Sequence, residues 1–328
     1  MSRAQDEHPV AERSDPTAPG PAPDDVMQPG RRWRIPWMPF VACLVILAGV
    51  CVFLYPHVAS WFSQKEQSRV TELAQQQLTE PPNDNARYRV EQLELAHEYN
   101  DALASGALLE ANTNMPTGKG ASSDESLVYD ELLKIGNTEV MGRLRYDALD
   151  IDLPIYHGTD DETLKRGVGH LEGTSLPVGG IGTRSVLTAH RGLPEATLFT
   201  HLDRAEEGDI FTVSVVDQAL SYRVIETQTI KPEYTEMILA DPDRDLVTLI
   251  TCTPLGINSH RILVTAERIT PTPEREVAAA GEAPEIPGFP WWTVALGGTI
   301  LVLSGYIWRA GYEAKTLPNG AAGGRHRA

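Results

Sequence analysis

The sequence predicts a mainly β domain, a closed barrel or sandwich with short helices, held between two transmembrane helices. Seven short runs rich in Val, Ile, Leu, Thr and Tyr fall between residues 140 and 269, separated by clusters of Gly, Pro, Asn and Asp. Little helical periodicity lies between them, which favours an all-β closed architecture. Two segments carry no charge, Ile35–Tyr55 with 21 residues and Phe289–Trp308 with 20. At about 1.5 Å per residue each crosses a hydrocarbon core of about 30 Å.

Residues 1–34 read as a disordered cytoplasmic tail that ends in Arg31, Arg32 and Arg34, and the helix over 35–55 follows. Residues 309–328, with Arg309, Lys315, Arg325 and Arg327, form a basic tail after the helix over 289–308. Basic flanks on these sides place both termini in the cytoplasm and the intervening segment outside. Trp33, Trp37 and Tyr55, and then Trp291, Trp292, Tyr306 and Trp308, lie near the span ends as interfacial aromatics. A cleaved signal peptide is the competing reading of the first span, with Val58-Ala59-Ser60 as its cleavage site. The leading tail and the apolar run are both long for one.

Between the spans, residues 64–109 carry juxtamembrane helical patterns, Gln64–Leu78 and Asn85–Leu103, interrupted at Pro81-Pro82. Residues 110–136 are a loop rich in Gly, Ser, Thr and Asn and a possible lid. The barrel domain is expected over 137–269, from the runs Val140–Tyr146, Ile151–Tyr156, Ser185–His190, Asp209–Val216, Leu220–Ile230, Asp245–Cys252 and Arg261–Ile269. Residues 270–288 are rich in Pro, Ala and Glu and read as a linker back to the membrane.

Charge excludes some ligands. The whole chain carries −17; Met1–Arg34 holds five basic and six acidic residues and Arg309–Ala328 four basic and one acidic, which leaves −19 between them. A surface of that sign repels nucleic acid and anionic lipid headgroups.

The chemistry centres on one sulfur. Cys43 and Cys51 lie inside the first span as small packing residues, so Cys252 is the single cysteine outside the spans. With no disulfide framework to join, such a thiol is either a buried inert residue or a nucleophile. Cys252 closes one β-pattern run, His190 closes another and Arg261 opens a third. Strand ends of one barrel converge although they are distant in sequence. A thiol of pKa about 8.5 is only slightly ionised at neutral pH, and a neighbouring imidazole or guanidinium raises its thiolate fraction. His190 is then the candidate general acid and base, and the permanently charged Arg261 holds a substrate carbonyl or an oxyanion. Arg191 either assists His190 or faces solvent, and solvent is the expectation. His157, His170, His201 and His260 lack paired ligand spacing, so no metal is expected. Gly179-Gly-Ile-Gly182 precedes a strand and reads as a turn, and neither Ser175 nor Ser185 has a nucleophile-elbow context.

Thr248-Leu-Ile-Thr-Cys252 resembles the Thr-Leu-x-Thr-Cys signature of sortases. Thr188-Ala-His190-Arg-Gly-Leu-Pro194 is similar to their histidine segment and Asn258-Ser-His-Arg261 to their arginine strand. Asp152-Leu-Pro-Ile-Tyr156 and the stretch Gly167–Pro177 resemble the pilin-polymerising class C branch, whose members also have a second, C-terminal span. The resemblance covers roughly Val140–Ile269. It implies a closed eight-stranded sortase-type β-barrel on a Gram-positive surface, anchored in the lipid bilayer. It also implies a cysteine transpeptidase that cleaves a Leu-Pro-x-Thr-Gly-like sorting signal between Thr and Gly and passes the acyl group to a lysine of the next pilin. Pilins or other surface proteins with C-terminal sorting signals are the expected partners, and no cofactor is needed. Thr248, Leu249 and Thr251 are the expected substrate contacts.

Class C sortases carry an Asp-Pro-aromatic lid, which is missing between Leu103 and Val140. Asp124 and Tyr129 occupy that region as lid candidates, with Tyr129 either covering Cys252 or starting a helix that packs on the barrel. Rival functions are a cell-wall anchoring sortase, a hydrolytic cysteine peptidase with the same dyad, and a non-catalytic membrane-anchored adhesion or scaffold domain.

Overall fold

Eight strands close into a barrel. The structure, a computed structural model, describes residues 33–103 and 127–312. The strands are β1 (Val140–Tyr146), β2 (Ile151–His157), β3 (Val168–His170), β4 (Thr183–Thr188), β5 (Ile210–Val215), β6 (Gln218–Ile230), β7 (Asp245–Thr253) and β8 (His260–Arg268). They are ordered β1-β2-β3-β4-β7-β8-β6-β5, and β5 pairs back onto β1. Most neighbours are antiparallel, but β2 with β3 and β4 with β7 are parallel. Closure removes every exposed sheet edge. The interior is filled by alternate residues such as Leu144, Ile155, Leu187, Val213, Val247, Leu249 and Val264.

Strand β3 is the one strand that the β-pattern runs leave out. It has only three residues, and Gly167 beside it lies so close to the Pro154 carbonyl that a Cβ there would collide with backbone. A six-residue helix, α3 (Asp161–Arg166), leads into it, capped by Asp160, whose carboxylate accepts from the Glu162 and Thr163 amides.

Helix α1 (Trp37–Gln77) has 41 residues, twice what a span needs, and runs unbroken through Pro56. The sequence reading ended the span at Tyr55 and began a second helix at Gln64. The outer half of α1 is held by packing: Ala74, with Val70 and Leu78, meets Ile135, Val140 and Tyr156 on the barrel flank. Helix α2 (Ala86–Ala102), capped by Asn85, buries Leu93, Ala96 and Tyr99 at three-residue spacing in the main core.

Residues 270–288, expected as a loose linker, are strapped down. They contain α4 (Glu274–Ala280). Arg143 donates to the Glu282 carbonyl at 2.7 Å and Arg145 to that of Ala279 at 2.7 Å. The Glu285 carbonyl accepts from Ser68 of α1, and the Gly288 carbonyl from the Trp61 indole at 2.9 Å. Helix α5 (Trp291–Ala310) follows.

The described residues fall into two units, one within Met1–Leu44 and Val302–Ala328 and one at Val45–Leu301. In the smaller unit Trp33 bridges to Tyr312, and the Arg34 amide donates to the Gly311 carbonyl at 3.0 Å. Both α1 and α5 are long and apolar enough to cross a membrane.

Candidate active site

Cys252 and Arg261 are register partners across the antiparallel β7–β8 ladder. The parallel β4–β7 ladder pairs Thr188 with Ile250, and beyond the end of β4 the Ala189 amide donates to the Ile250 carbonyl at 3.3 Å. Ala189 also accepts at its carbonyl from Thr251 Oγ1 at 2.8 Å. His190 therefore leaves the sheet beside Cys252.

Side-chain alternation puts Cys252 and Arg261 on one face. Ile250 and Cys252 share parity on β7, as do Leu263 and Arg261 on β8 and Val186 and Thr188 on β4, while His190 follows two residues after β4 ends. Val186, Ile250 and Leu263, with Leu171 and Ile238, form a small apolar cluster separate from the barrel core. The thiol and guanidinium thus continue the face of this patch, and His190 follows the end of the neighbouring strand. Arg261 is 1% exposed and Cys252 5%. The guanidinium is braced by the carbonyls of Asn258 at 2.8 Å and His260 at 3.1 Å.

His190 is half-buried, and its Nε2 lies 3.3 Å from Asp161 Oδ1 at the start of α3. Burial pushes the His190 pKa below the ordinary imidazole value, and the Asp161 carboxylate opposes that shift. Asp161 itself is held below the usual carboxylate range, first by Lys165 and then by His190. No pattern in the sequence marks Asp161, because its contact depends on β3 laying α3 against β4.

Arg191 corrects an expectation. Instead of facing solvent it bonds Asp203 at 2.7 Å, the Thr200 carbonyl at 3.1 Å and Thr253 Oγ1 at 3.0 Å. One guanidinium thus ties the loop after His190 to the residue after Cys252. Gly192 adopts φ +74°, and a Cβ there would collide with Leu255 of the β7–β8 connection.

The expected substrate contacts separate. Thr248 shares the Cys252 face, but its hydroxyl is buried against Arg184 at 3.0 Å. Leu249 belongs to the barrel core and Thr251 is tied to Ala189, so the side chains of both point away from the Cys252 face. Thr188, which the sequence reading passed over, is on that face, buried, with an Oγ1 that has no hydrogen-bond partner among the described residues.

Of the lid candidates, Asp124 lies outside the described residues. Tyr129 is buried in a short 3₁₀ turn, Tyr129–Glu131, where its hydroxyl meets His170 Nδ1 at 2.8 Å and accepts from the Gly158 amide at 3.1 Å. Its ring packs on Tyr99, His157 and His170. Tyr129 is therefore a packing residue of the barrel flank and not a cover for Cys252. Burial drives the His170 pKa down to about 4, which keeps this histidine neutral.

Residues 144–269 match the sortase domain family. The chain is 27% identical over 183 residues to Sortase A of Streptococcus agalactiae serotype III (strain NEM316), covering 53% of this chain and 73% of that protein. It superposes on the crystal structure of sortase C-1 from Actinomyces oris with a TM-score of 0.50 and 45% identity, covering 55% of this chain and 98% of that one. Sortase C of Streptococcus pneumoniae gives a TM-score of 0.50 and 39% identity, with 58% and 92% coverage.

Proposed function

Because the chain belongs to the sortase family and is accordingly a cysteine transpeptidase, we propose that it is a membrane-anchored class C enzyme that polymerises pilins. Cys252 is the nucleophile, His190 the general acid and base, and Arg261 the group that holds the oxyanion. The observation that carries these roles is the register pair Cys252–Arg261, with His190 just beyond the end of the parallel neighbour β4, whose Ala189 is bonded to Ile250 and Thr251. The class is supported by the identity to the Actinomyces oris and Streptococcus pneumoniae sortase C structures, the second of which concerns pilin substrate specificity. Two apolar helices support anchoring, and their basic flanks support an extracellular barrel with both termini in the cytoplasm.

In this scheme the Cys252 thiolate attacks the carbonyl carbon of the Thr–Gly bond in a Leu-Pro-x-Thr-Gly-like signal, and the carbonyl electrons move onto oxygen, where Arg261 stabilises them. Collapse re-forms the carbonyl and expels the glycine amine, which takes its proton from His190. A thioester to Cys252 remains. A lysine amine of the next subunit then attacks it, His190 takes that amine's proton, and the thiolate leaves as an isopeptide bond forms. Each cycle exchanges one amide for another, so no redox partner is needed.

The test is mass spectrometry of the full chain mixed with a sorting-signal peptide. The expected product is an adduct of the peptide truncated after Thr, on Cys252, that disappears when a lysine donor is added. A thiol that alkylates readily yet never acquires the acyl group would sink the proposal. Consumption of the adduct by a cell-wall amine but not by lysine would assign the same site to anchoring.

A further inference from the structure

A cleft of about 700 Å³ lies beside the loop that follows His190. One wall is the middle of α1 around His57 and Trp61, another is the start of α5 at Trp291 and Trp292, and the third is the loop at Leu193 and Pro194. All of it falls within Val45–Leu301. None of its lining residues is Asp, Glu, Lys or Arg, although the segment between the spans carries −19. Such an uncharged hollow on an acidic domain selects an apolar, uncharged occupant.

The walls are fixed. Trp61 and Trp292 pack edge to face with ring centroids 6.3 Å apart, and Ser60 meets Thr197 of the loop at 3.3 Å. The loop is closed at its base, where the Phe199 amide donates to the His190 carbonyl at 3.1 Å and the Gly192 amide to Thr200 Oγ1 at 3.1 Å. Anything seated in the cleft therefore bears on the segment that carries His190.

We infer that this cleft takes the acyl chain of a bilayer phospholipid and seats the His190 loop on the membrane surface. The inference rests on the membrane anchoring proposed above. Two of its three walls are the middle of α1 and the start of α5, helices with the length and hydropathy of spans, so the cleft opens beside the residues that the proposed bilayer would contact. Size separates a chain from a protein segment: a helix about 10 Å across would fill this volume in about 9 Å of its length, under two turns. A flexible hydrocarbon chain fits where a second spanning helix does not. Aromatic residues at the rim suit the headgroup level, where one edge is wet and the other apolar.

The test uses the full chain in phosphatidylcholine liposomes doped with a phospholipid that bears a diazirine on its acyl chain, followed by irradiation and peptide mass spectrometry. Lipid adducts are expected on the loop at Leu193–Thr197 and on Trp292, together with adducts on the exposed α5 residues Leu301 and Val302. Ala295→Trp and Pro194→Trp fill the cleft from opposite walls at exposed positions, so each is expected to fold. Each should lower cleft adducts about tenfold, the factor that excluding about two methylenes represents, and leave those on Leu301 and Val302 unchanged. Labelled Leu301 and Val302 beside an unlabelled cleft would overturn the inference while the anchoring stands. No adduct at either place would instead remove the anchoring, and the inference with it. Cleft labelling that is indifferent to both tryptophans would mark a passing surface contact and also overturn it.

Discussion

Cys252 stands opposite Arg261 in the β7–β8 ladder, so backbone pairing sets the separation of their main chains while the Asn258 carbonyl of the connecting turn braces the guanidinium. Only the turn Pro254–Ser259 separates the two strands at that end. Arg261→Ala is expected to lower kcat by about 10²–10³, the loss seen when one oxyanion donor is removed. Arg261→Lys should restore only part of it, since an ammonium lacks the planar fork. Steady-state kinetics with peptide and amine donor measure both, and an unchanged kcat in Arg261→Ala would remove Arg261 from the mechanism.

Asp161 gives a pH prediction. The His190 pKa is depressed by burial, and Asp161 works against that depression. Asp161→Asn therefore lowers it further, and the limb of the pH–rate profile that requires protonated His190 moves to lower pH. Asp161 is exposed, so the displacement should shrink as salt is added. Profiles at two ionic strengths decide it; a shift to higher pH would contradict the assignment.

Arg191 should behave as a positioning residue. Arg191→Ala unties the His190 loop from Thr253 and is expected to cost about 10²-fold in kcat, since displacements of about 1 Å are worth that much. Thr253→Val removes one of its bonds and should cost less. The Cys252 alkylation rate at high pH, where the thiolate needs no help, should be nearly unchanged in both.

His170 predicts how stability varies with pH. Its folded pKa of about 4 lies below an unfolded value of about 6.5, so the unfolded chain binds more protons between them. The contribution is complete above about pH 6.5 and falls as pH drops toward 4, with a slope of up to about 1.4 kcal/mol per pH unit. Denaturant titrations of wild type and His170→Gln should differ by this slope. Tyr129→Phe leaves His170 Nδ1 and the Gly158 amide without their shared partner and should cost about 1–3 kcal/mol.

Arg143 is buried in a two-bonded pair with Asp152, at 2.6 and 2.7 Å, while it also holds the Glu282 carbonyl. Arg143→Ala strands a half-buried carboxylate and is expected to destabilise by about 3–5 kcal/mol. The segment 279–288 should then become the first site of limited proteolysis.

The sequence and the fold agree where the signal is local. The runs around β1, β2, β4, β5, β6, β7 and β8 carry branched and aromatic residues in period-two order, and α2 shows its buried face at Leu93, Ala96 and Tyr99. Strand β3 has three residues beside two glycines and no periodicity to read. The uncharged run ends at Tyr55 and the next helical pattern begins at Gln64, yet packing of Ala74 against Val140 and Tyr156 holds the outer half of a single α1 that covers both. Residues 270–288 dock through main-chain carbonyls of Ala279, Glu282 and Glu285, and a carbonyl has no side-chain signature. The cluster of Cys252, His190 and Arg261 was legible as three strand ends. Their neighbourhood depends on the parallel pairing of β4 with β7, which joins strands about 60 residues apart.

The fastening of residues 279–288 to Arg143, Arg145, Ser68 and Trp61 makes the two stems of the barrel a single mast. A pull that arrives along the chain after the barrel is therefore taken up by Arg143 and Arg145 of β1 before it reaches β8 and Arg261.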